Sequence, residues 1–162
     1  MAVLTTSAGG ANASPSATRS VLLIGASRGL GLGLTKLFAA RGWNVVATER
    51  SDSAGLKSAA ANAAGRIRIE RLDINDHDEV NELHRRLSDE LFDVVFIIAG
   101  VHDDTTKPIH EVPVPEAARL FITNAHSPIY VAEEIFDRLT PRGTLAIMSS
   151  RMGSLALAPT YA

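Results

Sequence analysis

The sequence predicts an α/β protein in which a parallel sheet carries helices on both faces. From Val21 onward, short apolar runs alternate five times with longer amphipathic runs. The apolar runs are nearly continuous, which is typical of strands that are buried on both faces. Because βα crossovers are right-handed, five such units favour a doubly wound, three-layer α/β/α sheet with its strands in the order 3-2-1-4-5.

The first two units cover residues 21–65. The run VLLIG, residues 21–25, predicts the first strand, and WNVVAT, residues 43–48, predicts the second. Apolar residues on one face predict a first helix that stops at Gly42: Leu30, Leu34, Leu37 and Phe38. The Ala-rich run SDSAGLKSAAANAAG predicts a weak second helix, led by the cap-type residues Ser51 and Asp52.

The remaining units follow the same order. RIRIERLDI, residues 66–74, alternates as a third strand should, and DVVFIIAG and GTLAIMSS predict the fourth and fifth strands. Asp76 leads a charged helix whose inward residues are Val80, Leu83 and Leu87. The run PEAARLFITNAHSPIYVAEEIFDRL predicts a long helix that is interrupted or bent near Pro128.

Composition excludes several classes of function. The 162 residues carry a formal net charge of −2, so no basic footprint for nucleic acid exists. No apolar run reaches the roughly 18 residues that a membrane span needs. Cysteine is absent, and the five histidines do not have metal-ligand spacing, so we predict no metal site and a cytoplasmic protein. Residues 1–19 are small, polar and free of acidic side chains, and we expect a disordered leader outside the fold.

Three glycines lie where the first strand meets the first helix. Gly25, Gly29 and Gly31 form the pattern GxxxGxG at the carboxyl edge of the predicted sheet, where ligands of such sheets bind. Removing Cβ atoms there lets a pyrophosphate approach the backbone N–H groups at a helix N-terminus. The alternative is that these glycines only allow the helix to pack closely on the strand. A phosphate-binding P-loop is excluded because GxxxxGK[ST] is absent.

Five motifs in order resemble those of the classical short-chain dehydrogenase/reductase family. They are GASRGLG, LDI with Asp73, IAG at residues 98–100, TNAHSP with Asn124, and IMSSRMGS with Ser150. The resemblance covers residues 20–162 and implies a dinucleotide-binding Rossmann domain. Ile98 departs from the family, which has asparagine there to stabilise the central sheet. The family's Tyr-x-x-x-Lys motif is also incomplete, since Ala162 alone follows Tyr161.

The resemblance implies an NAD(P)-dependent oxidoreductase that moves hydride between nicotinamide and a small carbonyl or alcohol substrate. Ser150 would hydrogen-bond the substrate oxygen, and Asn124 would hold a water. Tyr161 would be the acid/base if it begins the Tyr-x-x-x-Lys motif. It would otherwise precede that motif in a longer chain, which its short spacing from Ser150 favours. The implied cofactor contacts are Gly25, Ser27, Arg28, Gly29, Leu30, Gly31, Glu49, Arg50, Asp73, Ile74, Ala99 and Gly100.

The cofactor is predicted to be NADP or NAD, depending on the end of the second strand. Glu49 could accept from a ribose 2′-OH, which favours NAD, whereas Arg28 and Arg50 could pair with a 2′-phosphate. Two cations against one carboxylate favour NADP.

Alternatives remain at this point. Because no lysine follows Tyr161, we expect a domain truncated before the substrate-binding elements, poorly stable and nearly inactive by itself. The alternative function is an inactive Rossmann-fold nucleotide-binding or regulatory fragment, and a nucleoside-donor methyltransferase is a weaker rival. The resemblance also implies homo-oligomers that pair through helices near the fourth and fifth strands.

Overall fold

One sheet organises the part of the chain that the structure describes. The computed structural model describes residues 2–5, 18–102 and 108–150. The strands within these ranges are β1 Ala2–Thr5, β2 Ser20–Ile24, β3 Asn44–Glu49, β4 Ile67–Arg71, β5 Phe92–Ile97 and β6 Leu139–Ile147. They lie in the order β1-β6-β5-β2-β3-β4, and the five strands β2 to β6 are parallel to one another. The predicted parallel sheet with strand order 3-2-1-4-5 is therefore confirmed.

Helices cover both faces of the sheet. They are α1 Gly29–Ala40, α2 Ala54–Ala61, α3 His77–Arg86, α4 Val114–Phe121 and α5 Ser127–Ile135. Alternate residues of β2 point to opposite faces: Val21 and Leu23 join one buried cluster with α1 and α2, whereas Leu22 and Ile24 join another with α3 and α5. Both clusters exclude water from the strands, which explains their continuous apolar sequence. None of the helices in these ranges is long and apolar enough to cross a bilayer.

The strand β1 corrects one expectation. We expected residues 1–19 to be a disordered leader, but residues 2–5 pair antiparallel with β6, with Ala2 opposite Ile147 and Thr5 opposite Thr144. An edge strand presents a row of unpaired backbone N–H and C=O groups, and any short extended segment can pair with it. The sequence pattern of four residues does not report such backbone pairing.

Helix α1 lies closer to the sheet than its apolar pattern suggests. Leu30 and Leu37 were expected to face inward, but they are 56% and 44% exposed. The fully buried positions are Gly31 and Thr35 instead, and Thr35 Oγ1 donates to the carbonyl of Gly31 at 2.9 Å. Because small residues face the sheet, the helix axis comes close to β2 and the larger leucines point to the sides.

Two helix starts depend on side-chain caps. Asp76 caps α3 as predicted, accepting from the N–H groups of the first turn, and Val80, Leu83 and Leu87 are buried. The cap of α2 is Ser53, whose side chain accepts from Leu56 N, and not Ser51 or Asp52 as predicted. All three residues are cap formers, so the choice among them depends on tertiary contacts of Ser53.

The predicted interruption near Pro128 is a segment of π-helix. Residues Ile122–His126 join α4 to α5, and Ser127 N donates to the carbonyl of Ile122, five residues earlier. Pro128 has no N–H to donate to the carbonyl of Asn124, four residues before it, so the α-helical ladder cannot continue through this point. The segment places Thr123 and Asn124 beside the end of β5.

Candidate functional site

A cavity of about 440 Å³ lies at the carboxyl ends of β2, β3, β4 and β5. Eleven of the twelve residues expected to contact a cofactor line it: Gly25, Ser27, Arg28, Gly29, Leu30, Gly31, Arg50, Asp73, Ile74, Ala99 and Gly100. These residues are separated by up to 75 positions in the chain. The parallel sheet brings them together because the carboxyl ends of its strands meet at one edge.

The three motif glycines serve different physical purposes. Gly25 has φ +91°, and a Cβ there would lie 2.7 Å from the backbone N and Cα of Ala99. Gly29 has φ +53°, with open space where its Cβ would point. A Cβ on Gly31 would overlap the carbonyl oxygen of Gly25 and lie 2.9 Å from the Cα of Ala26. Gly31 is therefore required by the packing of α1 on the turn, while Gly29 keeps the turn open.

The start of α1 faces this cavity. Its cap residue, Arg28, is extended at φ −155° and makes no side-chain cap hydrogen bond. Thr48 of β3 holds the preceding turn, because Gly25 N donates to Thr48 Oγ1 at 2.9 Å and Ala26 N donates to the Thr48 carbonyl at 2.8 Å. A fixed turn followed by a helix N-terminus presents N–H groups and positive partial charge to an anion.

The structure does not bring Glu49 to the cavity lining. Its side chain is only 7% exposed, and its Oε2 accepts from Ser53 N at 2.8 Å. Ser53 Oγ in turn donates to the carbonyl of Ser27 at 2.6 Å. Glu49 thus fixes the start of α2 against the glycine-rich turn, and Arg50 and Ser51 are the residues that border the cavity.

Positive charge dominates this end of the cavity. Arg28 and Arg50 are both exposed and both line it. The nearby Asp52 has its own cation, because Lys57 Nζ donates to its carboxylate at 2.7 Å. This hydrogen bond holds the pKa of Asp52 below its ordinary value and raises the pKa of Lys57. The Asp52 charge is therefore compensated without either arginine.

The loop after β4, the strand next to β3, forms a further part of the cavity wall. Asp73 N donates to Glu79 Oε2 at 2.6 Å, and Asp73 Oδ1 accepts from Asn75 N at 3.0 Å. Asn75 and Thr123 also line the cavity and were missed by the sequence analysis. Their only sequence signals are positions next to motif residues, Asn75 after LDI and Thr123 before Asn124.

A second cavity of about 580 Å³ adjoins the first and shares five lining residues with it: Arg28, Ile98, Ala99, Gly100 and Val101. Both Asn124 and Ser150 line this second cavity, so the structure brings these two predicted residues together. The side chain of Asn124 holds the backbone of Val101, accepting from its N–H at 2.8 Å and donating to its carbonyl at 2.7 Å. Tyr161 lies outside the described residues.

Ile98 occupies the position where asparagine was expected from the family pattern. Its N–H donates to the carbonyl of Ile24 at 2.8 Å, and its side chain packs against the buried cluster beneath α1 and α2. Apolar packing therefore holds the end of β5 where a polar cross-link was expected. Across the described ranges, His, Asp and Glu do not gather in groups of three that could hold a metal ion.

Comparisons with known proteins agree on one family. Residues 19–162 match the family described as short chain dehydrogenase. Among curated relatives, 1-deoxy-11-beta-hydroxypentalenate dehydrogenase of Streptomyces arenae is 33% identical over 132 residues, which are 79% of this chain and 47% of the relative. The chain thus spans about half the length of that relative.

Solved structures give the same assignment. A Burkholderia multivorans protein assigned to the short-chain dehydrogenases/reductases, with bound NADP, is 40% identical, with a TM-score of 0.83, covering 86% of this chain and 62% of that one. A carbonyl reductase from Pseudomonas aeruginosa in complex with NADP is 35% identical, with a TM-score of 0.82, covering 90% and 64% of the two chains.

Proposed function

This chain belongs to the short-chain dehydrogenase family, and we propose that it binds NADP(H) and serves hydride transfer between that cofactor and a small carbonyl or alcohol compound. The observation that carries the proposal is the cavity of about 440 Å³ at the carboxyl edge of the sheet. Eleven residues chosen by motif border it, and the N-terminus of α1 faces it. That arrangement suits an extended nucleotide with an anionic pyrophosphate.

We assign the parts of a dinucleotide to parts of the cavity. The open turn at Gly29, with its left-handed backbone, would accept the pyrophosphate on N–H groups of α1. Asp73 and Ile74 would border the adenine, and Ala99 and Gly100 would border the nicotinamide half. Gly25 and Gly31 support this fit indirectly, because they let the turn lie directly against β5 and α1.

The preference for NADP rests on the residues after β3. Glu49 is engaged by Ser53 N, whereas Arg28 and Arg50 border the cavity. Guanidinium groups bind phosphate through paired hydrogen bonds, so they favour a 2′-phosphate over a 2′-hydroxyl. The two structural neighbours with NADP bound support the same preference.

The second cavity is the proposed place of the substrate. When bound, the nicotinamide supplies or accepts the hydride. In our proposal, Ser150 donates a hydrogen bond to the substrate oxygen, and Tyr161 holds or gives the proton. A phenol has a reference pKa near ~10, so Tyr161 would need a nearby cation to work at neutral pH. Asn124 makes two side-chain hydrogen bonds to the backbone of Val101 and so fixes the wall between the two cavities.

Homo-oligomer formation is also proposed, and an exposed apolar stripe supports it. The stripe runs along α4, the π-helical segment and α5, and consists of Val114, Phe121, Ile122, Ile129 and Phe136, which are 44% to 80% exposed. Val114 and Phe121 are seven residues apart in α4, a spacing that places both on the same side of that helix. Clusters of exposed apolar side chains are typical of protein interfaces. We further propose a cytoplasmic location, which the absence of cysteine suits.

Calorimetric titration with NADPH and NADH tests the cofactor proposal. We expect saturable binding of both, with NADPH the tighter ligand. Because charge-assisted hydrogen bonds contribute about 1.5–3 kcal/mol, Arg50→Gln should weaken NADPH binding roughly 10- to 100-fold and leave NADH binding nearly unchanged. Arg41→Gln, at the far end of α1, is the control and should change neither. Absence of saturable binding of both nucleotides would overturn the proposal.

A further inference from the structure

Asn75 connects two segments that are far apart in the chain. It follows Ile74 in the loop between β4 and α3. Its Nδ2 donates to Thr123 Oγ1 at 3.0 Å, and its Oδ1 accepts from Ser127 Oγ at 2.8 Å. Thr123 is 5% exposed and Ser127 is fully buried. One amide group therefore satisfies two buried hydroxyls, one inside the π-helical segment and one directly after it.

The π-helical segment carries the residue that holds the end of β5. Asn124 follows Thr123 and makes both of its side-chain hydrogen bonds to the backbone of Val101. Val101 lines both cavities, while Asn75 and Thr123 line the first. Hydrogen bonds at Thr123 and at Asn124, joined by the backbone between these two residues, thus link the loop after β4 to the wall between the cavities.

We propose that Asn75 is a positioning residue, which holds the π-helical segment so that Asn124 can hold Val101. Through this path, occupancy of the first cavity beside Asn75 is coupled to the geometry of the second cavity. The coupling to nucleotide rests on the proposed function, whereas the positioning of Asn124 does not.

The chemistry of the asparagine amide suits this task. A single planar group offers a donor on one side and an acceptor on the other, and here it donates to Thr123 and accepts from Ser127. Aspartate keeps the acceptor for Ser127 but cannot donate to Thr123. Alanine removes both bonds and leaves two buried hydroxyls without this partner, which is costly inside a protein.

The same helix interface offers a matched control. Asn81 of α3 accepts from Tyr130 of α5 at 3.1 Å, and His77 stacks on Tyr130 with ring centroids 3.9 Å apart. His77 also reaches the π-helical segment, because it stacks on His126 with ring centroids 5.7 Å apart, whereas the hydrogen bond of Asn81 joins α3 to α5 alone. Asn81→Ala therefore weakens the same interface without removing the support of Asn124.

Hydrogen exchange at the Val101 amide reports the proposed effect directly, because this N–H donates to Asn124. Measured by NMR without ligand, Asn75→Ala should accelerate exchange at Val101 roughly tenfold or more, and Asn75→Asp should have a smaller effect. Asn81→Ala should lower the melting temperature by an amount comparable to that of Asn75→Ala, but it should leave the exchange rate of the Val101 amide unchanged. Unchanged exchange in both Asn75 variants, or equal acceleration in Asn81→Ala, would overturn the positioning role.

Repeating the exchange measurement with saturating NADPH tests the coupling. In the wild-type protein, NADPH should slow exchange both at the start of α1 and at Val101. In Asn75→Ala, protection at the start of α1 should persist while protection at Val101 is lost. Equal protection of Val101 in both proteins would overturn the coupling. Absence of NADPH protection at every amide would refute the proposed function together with the coupling, and the ligand-free result would still decide the positioning role.

Discussion

Replacing Gly31 by alanine is the substitution for which the structure gives the sharpest expectation. A Cβ at this position would overlap the carbonyl oxygen of Gly25 and lie 2.9 Å from the Cα of Ala26. Both neighbours are backbone atoms of the turn, so no flexible side chain can move aside. The helix α1 would have to shift away from the turn and from β2.

The magnitude follows from two opposing effects. Forcing an extra methyl group into close packing costs about 1–3 kcal/mol. Replacing glycine by alanine inside a helix stabilises the helix by about 0.8–1 kcal/mol. We therefore expect a net loss of up to about 2 kcal/mol in the free energy of unfolding. At roughly 2–4 °C per kcal/mol for a chain of this size, the melting temperature should fall by several degrees.

Gly33 provides the control within the same helix. A Cβ there would meet no atom within 4 Å, and its φ is ordinary for a helix. Gly33→Ala should raise the free energy of unfolding by about 0.5–1 kcal/mol. Urea denaturation of both variants and NADPH titration of the folded proteins form the assay. Only Gly31→Ala should also weaken NADPH, because it displaces the N-terminus of α1. If both alanines stabilised the protein equally, the close approach deduced at Gly31 would be refuted.

Three further predictions concern other parts of the fold. Asp76→Ala removes the cap of α3 and should lower the free energy of unfolding, measured by urea denaturation, by about 1 kcal/mol. Asp76→Ser keeps a capping side chain and should retain most of the wild-type stability. Thr48→Val leaves the N–H of Gly25 without its acceptor and should cost about 1–3 kcal/mol, and Thr48→Ser should restore stability; equal stability of the valine variant would contradict the role of the hydroxyl. Phe121→Glu should convert the proposed homo-oligomer to a monomer in light scattering, and a wild-type chain that is already monomeric at micromolar concentration would remove that proposal.

The parallel sheet could be predicted from the sequence because its signal is local. Each apolar run marks a strand buried on both faces, and right-handed crossovers leave few ways to connect five of them. Once the strand order follows, the cofactor motifs must meet at one edge, since GASRGLG, LDI and IAG each lie at the carboxyl end of a strand. This is why motif spacing alone assembled most of the first cavity.

The features that were missed depend on contacts between distant segments. Glu49 could face a ribose or the loop after it, and only the hydrogen bond to Ser53 decides between these positions. Asn75 acquires its partners 48 and 52 residues later in the chain, where no sequence period points to them. The pairing of residues 2–5 with β6 joins segments that are far apart in the chain, and no local sequence pattern reports it.

Mapping NADPH onto the backbone by amide NMR tests the central claim most directly. Titration of the isotope-labelled chain should give its largest chemical-shift changes at residues 25–31, at Arg50, and at residues 73–75 and 99–101, which together surround the first cavity. A separate cavity of about 430 Å³ between α1 and α2, which includes Lys36 and Arg66, should show none. Saturable shifts confined to the cavity between α1 and α2, or no saturable shifts at all, would contradict the claim that the carboxyl edge of the sheet is a dinucleotide site.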